Sequence, residues 1–172
     1  MVKEMNTDKQ KILSLLEQVP DPEVPVLSVI DLGIVRDVIF FNTPSGAGGI
    51  EVIITPTYSG CPAMDIISMQ IKMILLEHGF KKVIVTNTLS PAWTTEWMSE
   101  AGKEKLRAYG IAPPNAVQSV CDVNLFAEQE TVQCPHCKSY RTILISQFGS
   151  TACKALYKCN NCLEPFDYFK CH

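Results

Sequence analysis

The chain has 172 residues, 47% of them apolar, enough for a real core and for one or two domains of ordinary size. A net charge of −3 argues against a partner held mainly by electrostatics, nucleic acid above all. Residues 1–18 lack the apolar run of a signal peptide, and no later stretch is long enough to span a bilayer. The expectation is a cytoplasmic protein with no membrane partner. Thiols stay reduced there, so the eight cysteines read as metal ligands and working thiols, not as a disulfide scaffold.

In chain order, Thr7 or Asp8 is expected to cap a first helix, with Ile12, Leu13, Leu15, Leu16 and Val19 on its apolar side. The run Pro20-Asp21-Pro22-Glu23-Val24-Pro25 ends it, because proline lacks the amide proton and clashes with the preceding turn. Val35 to Phe41 and Ile50 to Thr55 read as strands joined by a hairpin loop, Asn42 to Gly49. That loop is no phosphate cradle, since it lacks the following lysine and helix. Tyr58 to Pro62 leads into an apolar helix from Ala63 to His78, stopped by Gly79. Its stripe Met64, Ile67, Ile71, Ile74 has core spacing. Val83 to Thr86 is a strand. Strand, helix, strand implies a right-handed crossover, with this strand parallel to the one at Ile50. A further helix is expected over Thr95 to Tyr109, closed by Gly110, and Trp93 and Trp97 at its start serve either packing or docking. Residues 1–111 thus form a small α/β (α+β) domain with a mixed sheet, 112–133 a linker, and 134–172 a cysteine-bearing domain.

That last domain carries the strongest signal. Cys134-Pro-His-Cys137 and Cys159-Asn-Asn-Cys162 are two C-x-x-C steps with twenty-one residues between them. Each step forms a knuckle that aims two thiolates at one centre, and two knuckles complete a tetrahedral sulfur cage, a zinc ribbon. The bland alternative is four unrelated core cysteines. A rubredoxin-like iron centre uses the same ligands, which leaves electron transfer open. His136, inside a knuckle, is expected to be exposed and not ligating; His172 ends the chain. Residues 134–172 hold five basic and two acidic side chains, so with four thiolates and one zinc ion the domain is close to neutral. A nucleic-acid surface does not follow; a scaffold or protein-docking role does. If the second knuckle turns a hairpin, Cys153 and Cys171 fall nearly opposite each other, as neighbouring thiols, accessory ligands or small hydrophobes. The spacing of Cys121 assigns it nothing.

Cys61 is the other candidate. Pro62 suits a first helical position, so the thiol lies at a helix start, where free amides and the helix dipole are expected to favour thiolate. Thr55, Thr57, Tyr58 and Ser59 offer hydroxyls beside it. The readings are an inert cap, transient iron or cluster binding, or a nucleophile. The last is weakest, because a base is needed and only three histidines exist. Asp21, Glu23 and Asp31 flank turns, where carboxylates commonly cap amides; convergence on Cys61 is the alternative.

Asp21-Pro22-Glu23, Asp31-Leu32-Gly33 and Gly60-Cys61-Pro62 resemble the SufT-like iron–sulfur-assembly domain. Residues 91–98, 148–157 and 164–171 are similar to the PaaD family of the bacterial phenylacetyl-CoA epoxidase system. The resemblance implies an accessory factor that matures the epoxidase and has no catalytic constellation of its own. It implies a [2Fe–2S] reductase component as client, other epoxidase components and the iron–sulfur assembly machinery as partners, and iron or a cluster handled at Cys61, with Asp21, Glu23 and Thr57 around it. It implies structural zinc on Cys134, Cys137, Cys159 and Cys162, with Cys153 and Cys171 as accessory thiols. The terminal His172 departs from the family pattern. An electron-transfer or structural component of the oxygenase is the competing reading, and a homodimer stays open.

Overall fold

The computed structural model describes residues 2–42, 48–114 and 132–170. They fall into two compact units, Met1–Trp93 and Thr94–His172.

The first unit opens with α1, Val2–Leu16. This helix starts upstream of the expected cap at Thr7 or Asp8, because no proline or glycine interrupts residues 2–8. Its last turn tightens through Gln18 N–H to Leu15 O (3.1 Å) and Val19 N–H to Leu16 O (3.1 Å), just ahead of Pro20. Ile12, Leu15, Leu16 and Val19 are buried as expected. Strands β1 (Val35–Asn42) and β2 (Gly48–Ile54) pair antiparallel from Val35↔Ile54 to Asn42↔Gly48. Helix α2, Ala63–Glu77, then returns the chain to β3, Lys82–Asn87, which pairs parallel with β2. The sheet is therefore mixed, in the order β1-β2-β3.

Gly79 ends α2 at φ +90°, a conformation costly for any residue with a Cβ. The Gly79 N–H reaches Leu76 O (3.0 Å) and the Phe80 N–H reaches Leu75 O (3.2 Å), which satisfies two orphan carbonyls at the helix end. Met64, Ile67, Ile71 and Leu75 form the buried face of α2, which packs against β3 and α1, while Ile50, Val52 and Ile54 of β2 are buried in the same unit. Leu75 takes the fully buried place that the sequence pattern assigns to Ile74.

The second unit differs from expectation at its start. The single helix expected over Thr95 to Tyr109 is a short 3-10 turn, Thr95–Trp97, followed by α3, Glu100–Tyr109. Ser99 explains the break. Its backbone is extended and its hydroxyl accepts the Gly102 N–H at 2.9 Å, so it caps a new helix and does not continue the old one. Gly110 closes α3 at φ +88°. Strands β4 (Thr142–Ser146), β5 (Lys154–Cys159) and β6 (Pro165–Phe169) form an antiparallel sheet in sequence order. Ala112, where the expected linker begins, donates to Asp167 O (2.8 Å) and accepts from Phe169 N (2.9 Å), so it is strapped along β6. The core of this unit is Ala112, Val132, Ala155, Tyr157, Phe166 and Tyr168, with the rings of Tyr157 and Tyr168 edge to face at 5.6 Å.

Candidate metal centre and thiol site

Two knuckles of the same build close the second unit. In the first, Lys138 N–H donates to Cys134 O (3.0 Å) and Cys134 N–H to Ser139 O (2.9 Å). In the second, Leu163 N–H donates to Cys159 O (3.0 Å) and Cys159 N–H to Glu164 O (3.0 Å). The residue after each second cysteine, Lys138 at φ 63° and Leu163 at φ 69°, is left-handed, which reverses the chain so that both thiols of a pair face inward. All four sulfurs lie within 4.8 Å of one another. Cys134 and Cys162 are 3.7 Å apart, and Cys137 and Cys159 are 3.5 Å apart. A tetrahedral ion with bonds of about 2.3 Å needs sulfurs about 3.8 Å apart, so this donor set fits a four-coordinate thiophilic cation. Asn161 supports it, its backbone N–H at 3.3 Å from Cys159 Sγ and its side-chain amide at 3.7 Å from Cys137 Sγ.

Crowding the four thiols spreads their proton affinities. The Ser139 amide pulls Cys137 down to about 6, against desolvation and with help from the Cys159 and Cys162 sulfurs. The Glu164 amide favours thiolate at Cys162, yet desolvation and its three sulfur neighbours outweigh it and push Cys162 up to about 12. Desolvation also raises Cys134. The cluster thus titrates as one unit, with its first negative charge concentrated at Cys137. A cation resolves this frustration by taking the place of the remaining protons.

His136 is exposed, as expected, and its ring lies over the end of α3: a Cβ on Gly110 would stand 3.2 Å from His136 Cε1. Cys153 is buried and stands outside the four-sulfur cluster. Its Sγ is 3.0 Å from Thr151 Oγ1 and its carbonyl accepts the Lys170 N–H at 3.0 Å, so position 170 lies across from it, one residue short of the Cys171 that the hairpin argument names. Cys121, Cys171 and His172 lie outside the described residues.

In the first unit Cys61 stands where β2 hands over to α2, on the carboxyl-end side of two parallel strands, a usual place for a site in such sheets. Pro62 is the helix N-cap residue, so Cys61 sits one residue ahead of it, half-buried. The expected thiolate is corrected here. Desolvation raises the Cys61 pKa most; the Ala63 amide opposes it; the carboxylates of Glu23 and Asp21 raise it further, and Tyr58 lowers it slightly. The amides at the helix start are thus outweighed by burial and two nearby anions, and the resting form is the thiol.

Those anions come from a tight loop. Asp21 N–H donates to Leu27 O (2.8 Å) and Val29 N–H to Val19 O (3.0 Å), which folds residues 19–29 back on themselves. Asp21 Oδ1 accepts the amides of Glu23 (2.9 Å) and Val24 (2.7 Å), and Asp31 Oδ2 accepts the amide (3.0 Å) and hydroxyl (2.9 Å) of Ser28. Both carboxylates are therefore caps. Asp21 and Glu23 act on Cys61 through space without joining it in a compact ligand set; among the described residues the four ribbon cysteines are the group that does so. Thr57 is half-buried on the β2–α2 turn. Thr55, two residues earlier, is 1% exposed, and its hydroxyl has no hydrogen-bond partner among the described residues. The sequence marks Thr55 only as one of four hydroxyls near Cys61 and does not reveal its burial. Trp93 exceeds its sequence reading: it is buried, and its indole N–H donates to Leu32 O at 2.8 Å, which ties the Asp31-Leu32-Gly33 turn in place.

Comparisons with known proteins divide along the same lines. Residues 118–170 match the PaaD zinc beta ribbon domain, and residues 9–83 match a family described as iron-sulfur cluster assembly protein. A protein of Escherichia coli K12, provisionally named as the D component of 1,2-phenylacetyl-CoA epoxidase, is 51% identical over 161 residues, 94% of this chain and 92% of its own length. An Fe-S protein maturation auxiliary factor of Porphyromonas gingivalis is 36% identical over 54% of this chain and 84% of its own length. A similarly named factor of Bacillus subtilis is 34% identical over 55% of this chain and 89% of its own length. Among solved structures, a DUF59 domain of unknown function from Bacillus anthracis superposes with a TM-score of 0.50 at 26% identity, covering 59% of this chain and 92% of that one. No helix among the described residues is long and apolar enough to cross a membrane.

Proposed function

This chain belongs to the PaaD family, and on that premise we propose that it is an accessory maturation factor of the multicomponent phenylacetyl-CoA epoxidase, not an enzyme in its own right. It assists assembly or insertion of the iron–sulfur cluster of the reductase component, in the cytoplasm. The observation that carries this reading is Cys61: a half-buried thiol at a helix start, held protonated beside the carboxylates of Glu23 and Asp21.

That setting suits cargo that must arrive and leave. The negative field that keeps the proton on sulfur also attracts iron or a cationic iron–sulfur species. As the metal approaches, the thiol proton goes to solvent and the thiolate takes the metal in its place. A single sulfur beside two carboxylates, one of which (Asp21) already caps backbone amides, makes a weak seat, so the cargo is passed on. Thr57 and Tyr58 line the same turn. In the second unit Cys134, Cys137, Cys159 and Cys162 hold zinc, which supplies structure and no chemistry; the ribbon so fixed docks the client. Cys153 and Cys171 are accessory thiols in this scheme.

The test is cluster occupancy of the reductase produced together with this chain or with its Cys61→Ser variant. The expected result is a reductase depleted of its [2Fe–2S] cluster while the variant stays folded and zinc-loaded. Equal occupancy, with stable stoichiometric copurification of the chain with the catalytic components, would favour a structural role instead.

A further inference from the structure

Helix α2 is apolar on both sides. Its inner face is core, but Ile66, Met69, Met73 and Leu76 on the outer face are 45%, 55%, 52% and 50% exposed. A helix apolar all round belongs in an interior, so this outer stripe is a face without a partner among the described residues. The four residues are spaced three, four and three apart, the seam spacing of two helices that pack side by side. Two of them are methionines, which fit an interface without demanding one fixed packing.

The flanking charges say what the partner is. Asp65 and Lys72 border the seam on one side, Gln70 and Glu77 on the other. If a second α2 lies parallel, Lys72 faces Glu77 of the copy and Asp65 faces Gln70. If it lies antiparallel with the four apolar residues in register, Lys72 falls opposite Lys72 of the copy, so the charges favour the parallel pair. The parallel arrangement sets no like charges opposite each other and supplies Lys72 with a carboxylate twice, once from each copy. We infer that the outer face of α2 is a self-association surface that seats α2 of a second copy of this chain. The helix is about 22 Å long, so the seam is short and the dimer is weak and concentration-dependent.

Sedimentation of the zinc-loaded full chain under reducing conditions tests this. The sedimentation coefficient is expected to rise with concentration up to about 100 μM. The pair Met69→Glu and Met73→Glu, both on the exposed face, is expected to leave the circular dichroism unchanged and abolish the rise. Lys72→Glu is expected to weaken association at least about tenfold. The charge swap Lys72→Glu with Glu77→Lys should then restore it. A chain that stays monomeric throughout, association that survives the double methionine substitution, or failure of the swap would overturn the proposal. None of these readouts involves Cys61, so the outcome is independent of the cluster-occupancy test.

Discussion

The indole N–H of Trp93 donates to the carbonyl of Leu32 at 2.8 Å across sixty-one positions of sequence. Leu32 lies in the turn in which Gly33 adopts φ 66° and Asp31 is locked to Ser28, next in sequence to the loop that carries Asp21 and Glu23. One side chain thus staples the end of the first unit to the segment that sets the electrostatics at Cys61. Trp93→Phe keeps most of the ring and deletes the donor, which leaves a carbonyl without that partner. The expected loss is about 1–3 kcal/mol in urea unfolding, with faster amide exchange at Ser28 to Gly33. Unchanged exchange in that turn would show that the bond does not hold it.

Cys61 offers a test by pH. Because Glu23 raises its pKa, Glu23→Gln should lower it, and alkylation of Cys61, followed by peptide mapping, should begin at lower pH than in the parent chain. The linkage has a definite sign. A thiol whose folded pKa is raised stabilises the fold while protonated, and that contribution is lost as pH rises from the ordinary thiol range through the folded value. The parent chain should therefore lose stability relative to Cys61→Ser on the alkaline side and not on the acid side. An alkylation profile that is the same for Glu23→Gln and parent would remove the carboxylate from the account.

Metal uptake should release protons. Cys134 and Cys162 are raised and must lose theirs to bind, whereas Cys137, near 6, has already lost its own at neutral pH. Zinc added to the reduced apo chain at about pH 7.5 should acidify an unbuffered solution, and affinity should fall as pH drops through the range where Cys137 takes up its proton. Chelation should unfold the β4–β6 sheet, whose aromatic core sits on Cys134 and Cys159. Zinc binding with no proton release would contradict the distribution of charge in the cluster.

Gly110 is a fourth point of leverage. Its φ of +88° is left-handed, and a Cβ there would press on the His136 ring at 3.2 Å. Gly110→Ala should cost about 1–2 kcal/mol from the backbone alone. Adding His136→Ala should recover the contact part and leave the backbone part, as read from thermal melting of the zinc-loaded chain. Full recovery by His136→Ala would mean that the backbone conformation carries no cost.

Legibility in the sequence follows the range of the forces involved. The ribbon is readable because each C-x-x-C knuckle is a local turn with a fixed chemical need. The β2–α2–β3 unit is readable because apolar periodicity and Gly79 mark it locally, and parallel pairing follows from connection alone. The break before α3 escapes the sequence because Ser99 works as a cap only once Met98 turns extended, which composition does not reveal. The charge state of Cys61 escapes it because the helix-start position is local, whereas Glu23 and Asp21 reach the thiol only after residues 19–29 fold back. The exposed stripe on α2 stays hidden for a similar reason: sequence shows two apolar faces, and only the fold decides which one the sheet covers.

Metal content of the chain itself, purified without oxygen, tests the central claim most directly. Zinc and iron are measured side by side in the parent and in Cys61→Ser. With ferrous iron kept in excess, the account predicts that the parent holds iron that Cys61→Ser lacks, and that zinc is the same in both. Iron retained in full by Cys61→Ser, and removed only when Cys134 or Cys159 is replaced, would place the iron in the ribbon and contradict it.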